Sequence, residues 1–302
     1  MMRRQSCSGD FNTAQFVFNL MQNFPKQTLV IDVRDPQDFD FCHIHSSINI
    51  PYSDNYSDFP DINELKDHIR HGRSIFERRR RMLIVIVFSP PAIVFARAVH
   101  YILRRDKCRE VHILEEELAT FGYKYSFLCE GLKSEVCKRP AHGYPSEILP
   151  FQLYLGDHYH AEDPLVIQNL KITHIINATN SCEAKFLNKG VLYLRLGVED
   201  LETEDLSKHF SKAYEFLTEA LSSDKNRVLV HCARGISRSA TIVMMFIMKS
   251  MEISYDEALS FVKKHREVVC PNEGFEQQLR AWNSELKEDL HDTKTECKVM
   301  IE

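Results

Sequence analysis

The hydrophobic positions of the chain fall into short apolar runs that alternate with amphipathic stretches. In the first part of the chain, apolar runs at residues 29–31, 83–88 and 111–114 are each followed by a stretch with helical periodicity. The same alternation returns after residue 148. Strands that alternate with helices predict α/β domains, each built around a mainly parallel central sheet flanked by helices.

A stretch rich in glycine, proline and charge separates the two alternating regions. Residues 131–147 have neither helical nor strand periodicity, which is typical of a linker. We therefore predict one domain over residues 13–130 and a second over residues 148–288. With 302 residues, of which 44% are hydrophobic, the chain is long enough for two domains with cores of their own.

One segment of the second domain combines a buried strand, a tight loop and an apolar helix. Residues 228–230 have the strand pattern, residues 232–238 form the loop, and the positions after Ser239 are helical and almost wholly apolar. The backbone N–H groups of such a loop converge with the free donors of the helix N-terminus, which makes an anion-binding cradle. Gly235 allows a positive φ, so that these donors can come close to a ligand.

The side chains of this loop suit phosphoryl transfer through a covalent intermediate. Cys232 leads the loop, and a helix end with a nearby cation lowers the pKa of a cysteine below that of a free thiol. Arg238 has a planar guanidinium that can grip two phosphate oxygens at once. A thiolate beneath a bound phosphate is placed to attack phosphorus, which gives a cysteinyl-phosphate. Ser239 can donate its hydroxyl to the thiolate and help it to leave.

The spacing of a cysteine and an arginine six residues apart is weak evidence alone, although none of the other eight cysteines has it. The alternative is a buried structural cysteine at a strand end. The context favours the enzyme, because the whole segment HCARGISRSA resembles the signature of the dual-specificity branch of the cysteine-dependent protein phosphatases. Further similarity to that domain lies in SEILP (146–150), LG (155–156), THIIN (173–177) and PN (271–272).

This resemblance implies hydrolysis of phosphotyrosine, phosphoserine and phosphothreonine in proteins, with no metal ion or other cofactor. It implies catalysis by Cys232, Arg238 and Ser239, and phosphate binding by the loop residues Ala233, Arg234, Gly235, Ile236, Ser237 and Arg238. The loop contains few cations, which favours a protein substrate over a phosphoinositide or RNA. Two interpretations of His231 stay open, as a residue that lowers the thiol pKa or as a structural histidine.

The leaving oxygen needs a proton, which a carboxylic acid opposite the thiolate can supply. The loop after the apolar run at 192–196 contains five candidates: Glu199, Asp200, Glu202, Glu204 and Asp205. Asp200 matches the position of the general acid in the family, and Glu199 is the alternative. Asn177 and Asn272 are predicted to brace the phosphate loop and a neighbouring turn.

The first domain resembles rhodanese-like domains, in the strand end Asp32-Val33-Arg34, the His-Ile segment after it and the strand–loop–helix at 83–105. An active rhodanese has a cysteine at the head of the loop after its central strand, where this chain has Ser89-Pro90-Pro91. We therefore expect a catalytically silent domain and interpret Cys42 as structural. This domain order is that of the MAP kinase phosphatases, and also of the serine/threonine/tyrosine-interacting-like proteins, pseudophosphatases without the nucleophile.

Net charge and composition limit the kinds of partner and the cellular locations that the sequence supports. A net charge of −5 and a pI near 6.3 give no indication of nucleic acid or a membrane surface, and no apolar run reaches the ~18 residues of a membrane span. Nine cysteines without a Cys-x-x-Cys spacing indicate reduced thiols, so we expect a cytoplasmic location and leave the nucleus open as a second one. A basic run could dock on MAP kinases or be a solvated loop or nuclear-import patch: Arg78, Arg79, Arg80 and Arg81.

Two functions from different classes therefore stand at this point. The favoured function is an active dual-specificity protein phosphatase with a silent rhodanese-like domain in front of it. The alternative is a phosphoprotein-binding scaffold that has kept the phosphate loop but turns over little. The presence of the nucleophile, the arginine and a suitable acid favours the enzyme.

Overall fold

The computed structural model describes residues 11–52, 61–131 and 138–282 of the chain. The chain divides into two compact units, Met1–Arg139 and Pro140–Glu302, and the division falls inside the stretch predicted as a linker. Within that stretch, the first strand of the second unit already begins at Ser146.

The first unit is an α/β domain. Its elements are β1 (Phe11–Asn12), α1 (Ala14–Asn23), β2 (Thr28–Asp32), α2 (Pro36–Phe41), β3 (His43–Ile44), β4 (Ile48–Asn49), α3 (Ile62–Asp67), α4 (Arg73–Arg79), β5 (Leu83–Val87), α5 (Ile93–Arg105), β6 (Glu110–Leu114), α6 (Leu118–Lys124) and β7 (Cys129–Glu130). Five strands form a parallel sheet in the order β1-β6-β5-β2-β4, and β3 pairs with β7 in an antiparallel ladder. The predicted mainly parallel sheet is confirmed.

The sequence pattern predicts a helix near residues 61–70, and α3 confirms it. Asp61 and Glu64 form a capping box that begins α3, and the chain then turns at Gly72, whose φ is +81°. A Cβ there would lie 2.3 Å from Cγ2 of Ile48, so glycine is required at this turn. A second helix, α4, follows this turn and contains the first half of the basic run, for which a solvated loop was one of the alternatives.

The loop after the central strand of the first sheet differs from an anion cradle. β5 is buried along its whole length, and Ser89 precedes a short 3₁₀ turn at Pro90–Ala92 before α5 begins. Because proline has no backbone N–H, Pro90 and Pro91 offer no donors to an anion. The geometry of this loop is thus in keeping with the expected silent domain.

The second unit is also α/β. Its elements are β8 (Ser146–Leu149), β9 (Leu153–Gly156), α7 (His158–Glu162), α8 (Pro164–Asn169), β10 (His174–Asn177), β11 (Leu192–Arg195), α9 (Phe210–Leu221), β12 (Val228–His231), α10 (Arg238–Met251), α11 (Tyr255–His265) and α12, helical from 273 to 282 within the described residues. The sheet order is β11-β10-β12-β9-β8, with all pairs parallel except β8 with β9.

The middle of this sheet carries the segment that the sequence had singled out. β12 is buried at all four positions, and residues 238–248 of α10 are all buried as well. The helices α7 and α8 are separate, because Asp163 caps a new helix that begins at Pro164. The helix α9 begins at Phe210, after a 3₁₀ turn at Ser207–His209.

In the described ranges, no helix is long and apolar enough to span a membrane. The same residues contain no group of three or more His, Cys, Asp or Glu side chains that could hold a metal ion.

Candidate active site

The thiol of Cys232 lies directly after the central strand β12 and is 1% exposed. Its Sγ accepts a hydrogen bond from the Gly235 N–H at 3.2 Å and another from the Ser239 hydroxyl at 3.2 Å. Burial alone would raise the pKa of this thiol, but the hydrogen bonds from Ser239 and from the loop amides outweigh it, so the pKa is lowered. The loop therefore stabilises the thiolate, which is the nucleophilic form.

Four consecutive carbonyl groups of the phosphate loop accept hydrogen bonds from residues outside the loop. Nδ1 of His158 donates to the Ala233 carbonyl at 2.7 Å, and the Cys270 N–H donates to the Ile236 carbonyl at 2.9 Å. Between them, the guanidinium of Arg266 donates to the carbonyls of Arg234 and Gly235, at 3.2 and 2.8 Å. In a trans peptide the N–H points opposite to the C=O, so these bonds direct the loop amides toward the sulfur.

Gly235 is required where the loop passes over the neighbouring strand. Its φ is +69°, and a Cβ at this position would lie 2.5 Å from the carbonyl oxygen of Gly156 and 2.8 Å from Nη2 of Arg266. The positive φ disfavours other residues, and the contact with backbone leaves no room for a side chain.

Arg238 is the first residue of α10, and the residue is 8% exposed. Its Nη1 donates to the Val198 carbonyl at 2.9 Å. Its Nε lies 3.8 Å from Oδ2 of Asp200 and has no hydrogen-bond partner in the described part of the chain. A buried donor of this kind is costly unless it is paired, and an anion in the cradle would pair it. The N-terminal end of the fourteen-residue α10 adds its positive dipole at the same place.

Asp200 is held at the edge of the cradle by two donors. The Ser237 hydroxyl donates to its Oδ1 at 2.7 Å, and Nδ2 of Asn272 donates to the same oxygen at 3.1 Å. Ser237 in turn accepts the Asn272 N–H at 3.2 Å, so the three residues form a closed network. The Asp200 side chain keeps 39% of its surface exposed and is therefore open to a leaving group and to water.

The other acidic residues of this loop have different partners. Oε1 of Glu199 accepts from Nδ2 of Asn180 at 2.7 Å, Glu204 pairs with Lys208, and Asp205 accepts from the Ser207 hydroxyl. None of these recorded contacts involves the phosphate loop. Asp200, by contrast, contacts Ser237 of that loop, which favours it over Glu199 as the acid.

His231 is 2% exposed, and burial lowers the pKa of its ring to about 4. It is therefore neutral at physiological pH and cannot lower the pKa of Cys232 through a positive charge. The lowered pKa therefore favours the interpretation of His231 as a structural histidine.

The prediction for Asn177 needs correction, while that for Asn272 is extended. Asn177 donates to the Cys182 carbonyl and accepts from Thr179, so it braces the loop after β10 and not the phosphate loop. Asn272 does brace a turn, through the Phe275 N–H, but its amide also holds Asp200.

The structure thus brings together the predicted catalytic residues, Cys232, Arg238, Asp200 and Ser239, around one loop. Sequence reasoning missed Arg266 and His158. Arg266 follows α11, and His158 opens α7, so both reach the loop only through tertiary structure. No local pattern distinguishes either of them from an ordinary surface residue.

Comparisons with known proteins were made for both units. Residues 153–285 match the family model "Dual specificity phosphatase, catalytic domain", and residues 17–116 match "Rhodanese-like domain". The dual specificity protein phosphatase 5 of Rattus norvegicus is 40% identical over 153 residues, which cover 50% of this chain and 39% of that protein. A "Probable rhodanese domain-containing dual specificity protein phosphatase" of Dictyostelium discoideum is 25% identical, over 89% of this chain and 68% of that protein. These matches confirm both resemblances and the predicted fold class.

Among solved structures, that of the human tyrosine phosphatase-like serine/threonine/tyrosine-interacting protein is 33% identical, covering 47% of this chain and 96% of that one. Its TM-score is 0.44. The chain spans about two fifths of the length of the rat relative.

Proposed function

Since residues 17–116 form a rhodanese-like domain and residues 153–285 a dual specificity phosphatase catalytic domain, we propose that the protein is an active phosphatase of phosphotyrosine and phosphoserine/phosphothreonine in proteins. One observation carries the proposal: the buried Cys232 thiol is stabilised as a thiolate by donors from Gly235 and Ser239, with Arg238 and Asp200 at the same loop. A protein that only binds phosphoproteins needs the loop and Arg238, but neither the thiolate nor Asp200.

In the first half of the reaction, the Cys232 thiolate attacks phosphorus, and the bond from phosphorus to the leaving oxygen breaks. The loop amides and the guanidinium of Arg238 hold the phosphate oxygens and neutralise their charge. Asp200, in its protonated form, gives its proton to the leaving oxygen, because an alkoxide leaves poorly.

In the second half, the Asp200 carboxylate takes a proton from a water molecule, which attacks phosphorus while the sulfur–phosphorus bond breaks. The departing thiolate is received by the Ser239 hydroxyl and the Gly235 N–H, which already bond Sγ. Inorganic phosphate leaves, and Asp200 is again protonated for the next cycle. Asp200 of this chain carries out both proton transfers of the reaction.

The test compares hydrolysis of an aryl phosphate and of a phosphopeptide by the full chain and by Cys232→Ser. We expect turnover to disappear in the variant while phosphopeptide binding persists, since the loop donors remain. Cys182→Ser is the control, because Cys182 is also a buried cysteine of this unit but lies in the loop after β10, where its backbone N–H donates to the Thr179 hydroxyl. Residual activity of Cys232→Ser within a few-fold of the parent would contradict the mechanism. A parent that binds phosphopeptide without turning it over would support the scaffold instead.

For the partner, we propose MAP kinases, docked through the basic run, and an enzyme at work in the cytoplasm. The resemblance to MAP kinase phosphatases supports this choice. Three of the four arginines have internal partners: Arg79 donates to the Thr28 carbonyl, Arg80 pairs with Asp106, and Nε of the more exposed Arg81 lies 3.8 Å from the same carboxylate. Arg78 and Arg81 are exposed, so these two would carry the docking.

The docking test is charge reversal at those two positions. Arg78→Glu with Arg81→Glu should weaken binding to a MAP kinase and slow dephosphorylation of that kinase, with aryl phosphate hydrolysis unchanged. The matched control reverses Arg73 and Arg97, which lie outside the basic run. If both pairs weaken binding equally, general charge rather than docking is responsible. A fluorescent fusion of the full chain tests the cytoplasmic location.

A further inference from the structure

The first unit contains two cysteines that are far apart in the sequence and adjacent in the fold. In the ladder of β3 and β7, His43 pairs with Glu130 and Ile44 with Cys129. The next step of this register places Gly131 opposite Cys42. Because alternate residues of a strand point to the same face, the side chains of Cys42 and Cys129 lie on one face as diagonal neighbours.

Gly131 makes room for this contact. A Cβ at position 131 would lie 2.3 Å from the Phe41 carbonyl oxygen and 2.9 Å from Cα of Cys42, and its φ of +153° suits only glycine. Glycine at this position therefore lets the backbone at Phe41 and Cys42 lie close to the end of β7. The thiols of Cys42 and Cys129 are hydrogen-bonding partners.

Three polar contacts of the Glu130 side chain fix the strand register that aligns the two thiols. The carboxylate of Glu130, in β7, lies 2.8 Å from Nδ1 of His45, 3.4 Å from Nε2 of His43 and 3.3 Å from Nη2 of Arg139. His43 also stacks on Phe39, with ring centroids 4.0 Å apart. A slip by one residue would break these contacts and turn Cys129 to the opposite face.

The two thiols have different chemical characters. The hydrogen bond from Cys129 lowers the pKa of Cys42 to about 6 against the effect of burial, and the charges of Arg34 and His43 act in the same direction. The pKa of Cys129 is raised by this pairing and by burial. Cys42 is partly exposed, whereas Cys129 is 5% exposed. An accessible thiolate beside a protected thiol is the arrangement of a peroxide-reactive cysteine with its resolving partner.

We propose that Cys42 and Cys129 form a reversible disulfide when the protein meets hydrogen peroxide. The Cys42 thiolate attacks one peroxide oxygen, the O–O bond breaks, and hydroxide leaves, which gives a sulfenic acid. The Cys129 sulfur then attacks the Cys42 sulfur, the S–O bond breaks, and the thiol proton joins the departing hydroxide as water. Two thiols are oxidised to one disulfide, and one peroxide is reduced to two waters. The inference is independent of the proposed phosphatase activity.

The test uses the full chain carrying Cys232→Ser, because Cys232 also has a lowered thiol pKa and would react with peroxide as well. The protein is treated with hydrogen peroxide, free thiols are blocked with N-ethylmaleimide, and unreduced peptides are mapped by mass spectrometry. We expect a peptide that joins Cys42 to Cys129, a loss of two titratable thiols, and reversal by dithiothreitol.

Single variants in the same background separate the two roles. Cys129→Ser should stop at a sulfenic acid on Cys42 that dimedone traps, and Cys42→Ser should leave Cys129 reduced. Cys108→Ser is the control, since burial raises the pKa of that thiol to about 11, and it should behave as the parent. A cross-link to another cysteine, a cross-link only between two molecules, or oxidation of Cys42 no faster than of Cys108 would overturn the proposal.

Discussion

Ser239→Ala tests how the loop holds the thiolate. The variant removes one of the two hydrogen bonds that Sγ of Cys232 accepts at 3.2 Å, while the Gly235 N–H remains. A hydrogen bond to a charged group contributes ~1.5–3 kcal/mol. Because Cys232 is 1% exposed, water cannot replace the lost donor. At a factor of ten per ~1.4 kcal/mol, the thiolate fraction below the thiol pKa should fall by about 10- to 150-fold.

The direction in which the pH profile moves follows from the sign of the pKa shift of Cys232. The parent loop lowers the pKa of Cys232, so removing a donor to the thiolate raises it. The acidic limb of the kcat/KM profile should therefore move to higher pH, and the thiolate form should be lost earlier as pH falls. The rate of Cys232 alkylation by iodoacetamide, measured against pH without substrate, reports the same ionisation apart from the acid step.

Ser237→Ala is the matched control, since it removes a serine hydroxyl of the same loop that bonds Asp200 and not the sulfur. It should leave the alkylation profile in place. If Ser239→Ala also leaves that profile unchanged, the backbone amides alone stabilise the thiolate, and our account of Ser239 is wrong.

Asp200→Asn should slow a phosphopeptide by ~10²- to 10⁴-fold but an activated aryl phosphate far less, because only the former needs its leaving oxygen protonated. Equal slowing, or selectivity in Glu199→Gln instead, would refute the assignment. Gly235→Ala should abolish turnover, whereas Gly190→Ala, with a similar positive φ but no atom near its Cβ, should retain it. The full chain with Cys232→Ser should form no thiocyanate from thiosulfate and cyanide, because Ser89 replaces the rhodanese cysteine; thiocyanate above a blank would contradict this.

The nucleophile could be predicted because the residues that support it lie close together in the sequence. A buried strand, Cys232, Gly235, Arg238 and an apolar helix follow one another within one segment, so the segment as a whole indicates the cradle. Element types were also largely predictable from periodicity. Periodicity did not predict where a new helix begins, as at Gly72 and Asp163, because a single turn residue or cap outweighs a weak periodic pattern.

The rest of the site depends on contacts between distant segments. Arg266 holds two loop carbonyls from the end of α11, and Asn272 links Asp200 to Ser237. The Cys42–Cys129 pair likewise exists only through the β3–β7 register. A sequence pattern gives the period of one element but not the register between two, so these pairings could not be predicted.

Sheet topology explains why the acid and the nucleophile meet, and why the first unit lacks a comparable site. β11 and β12 flank β10 in parallel, with both Arg195 and His231 paired to Asn177, so their loops leave one edge at the same level. Asp200 and Cys232 follow from those two strand ends. The first unit repeats this architecture, with β5 between β2 and β6, yet its loop begins with Ser89 and two prolines. Position within an α/β sheet is therefore common to both units, and the side chains and amides of one loop decide whether that position can hold a phosphate.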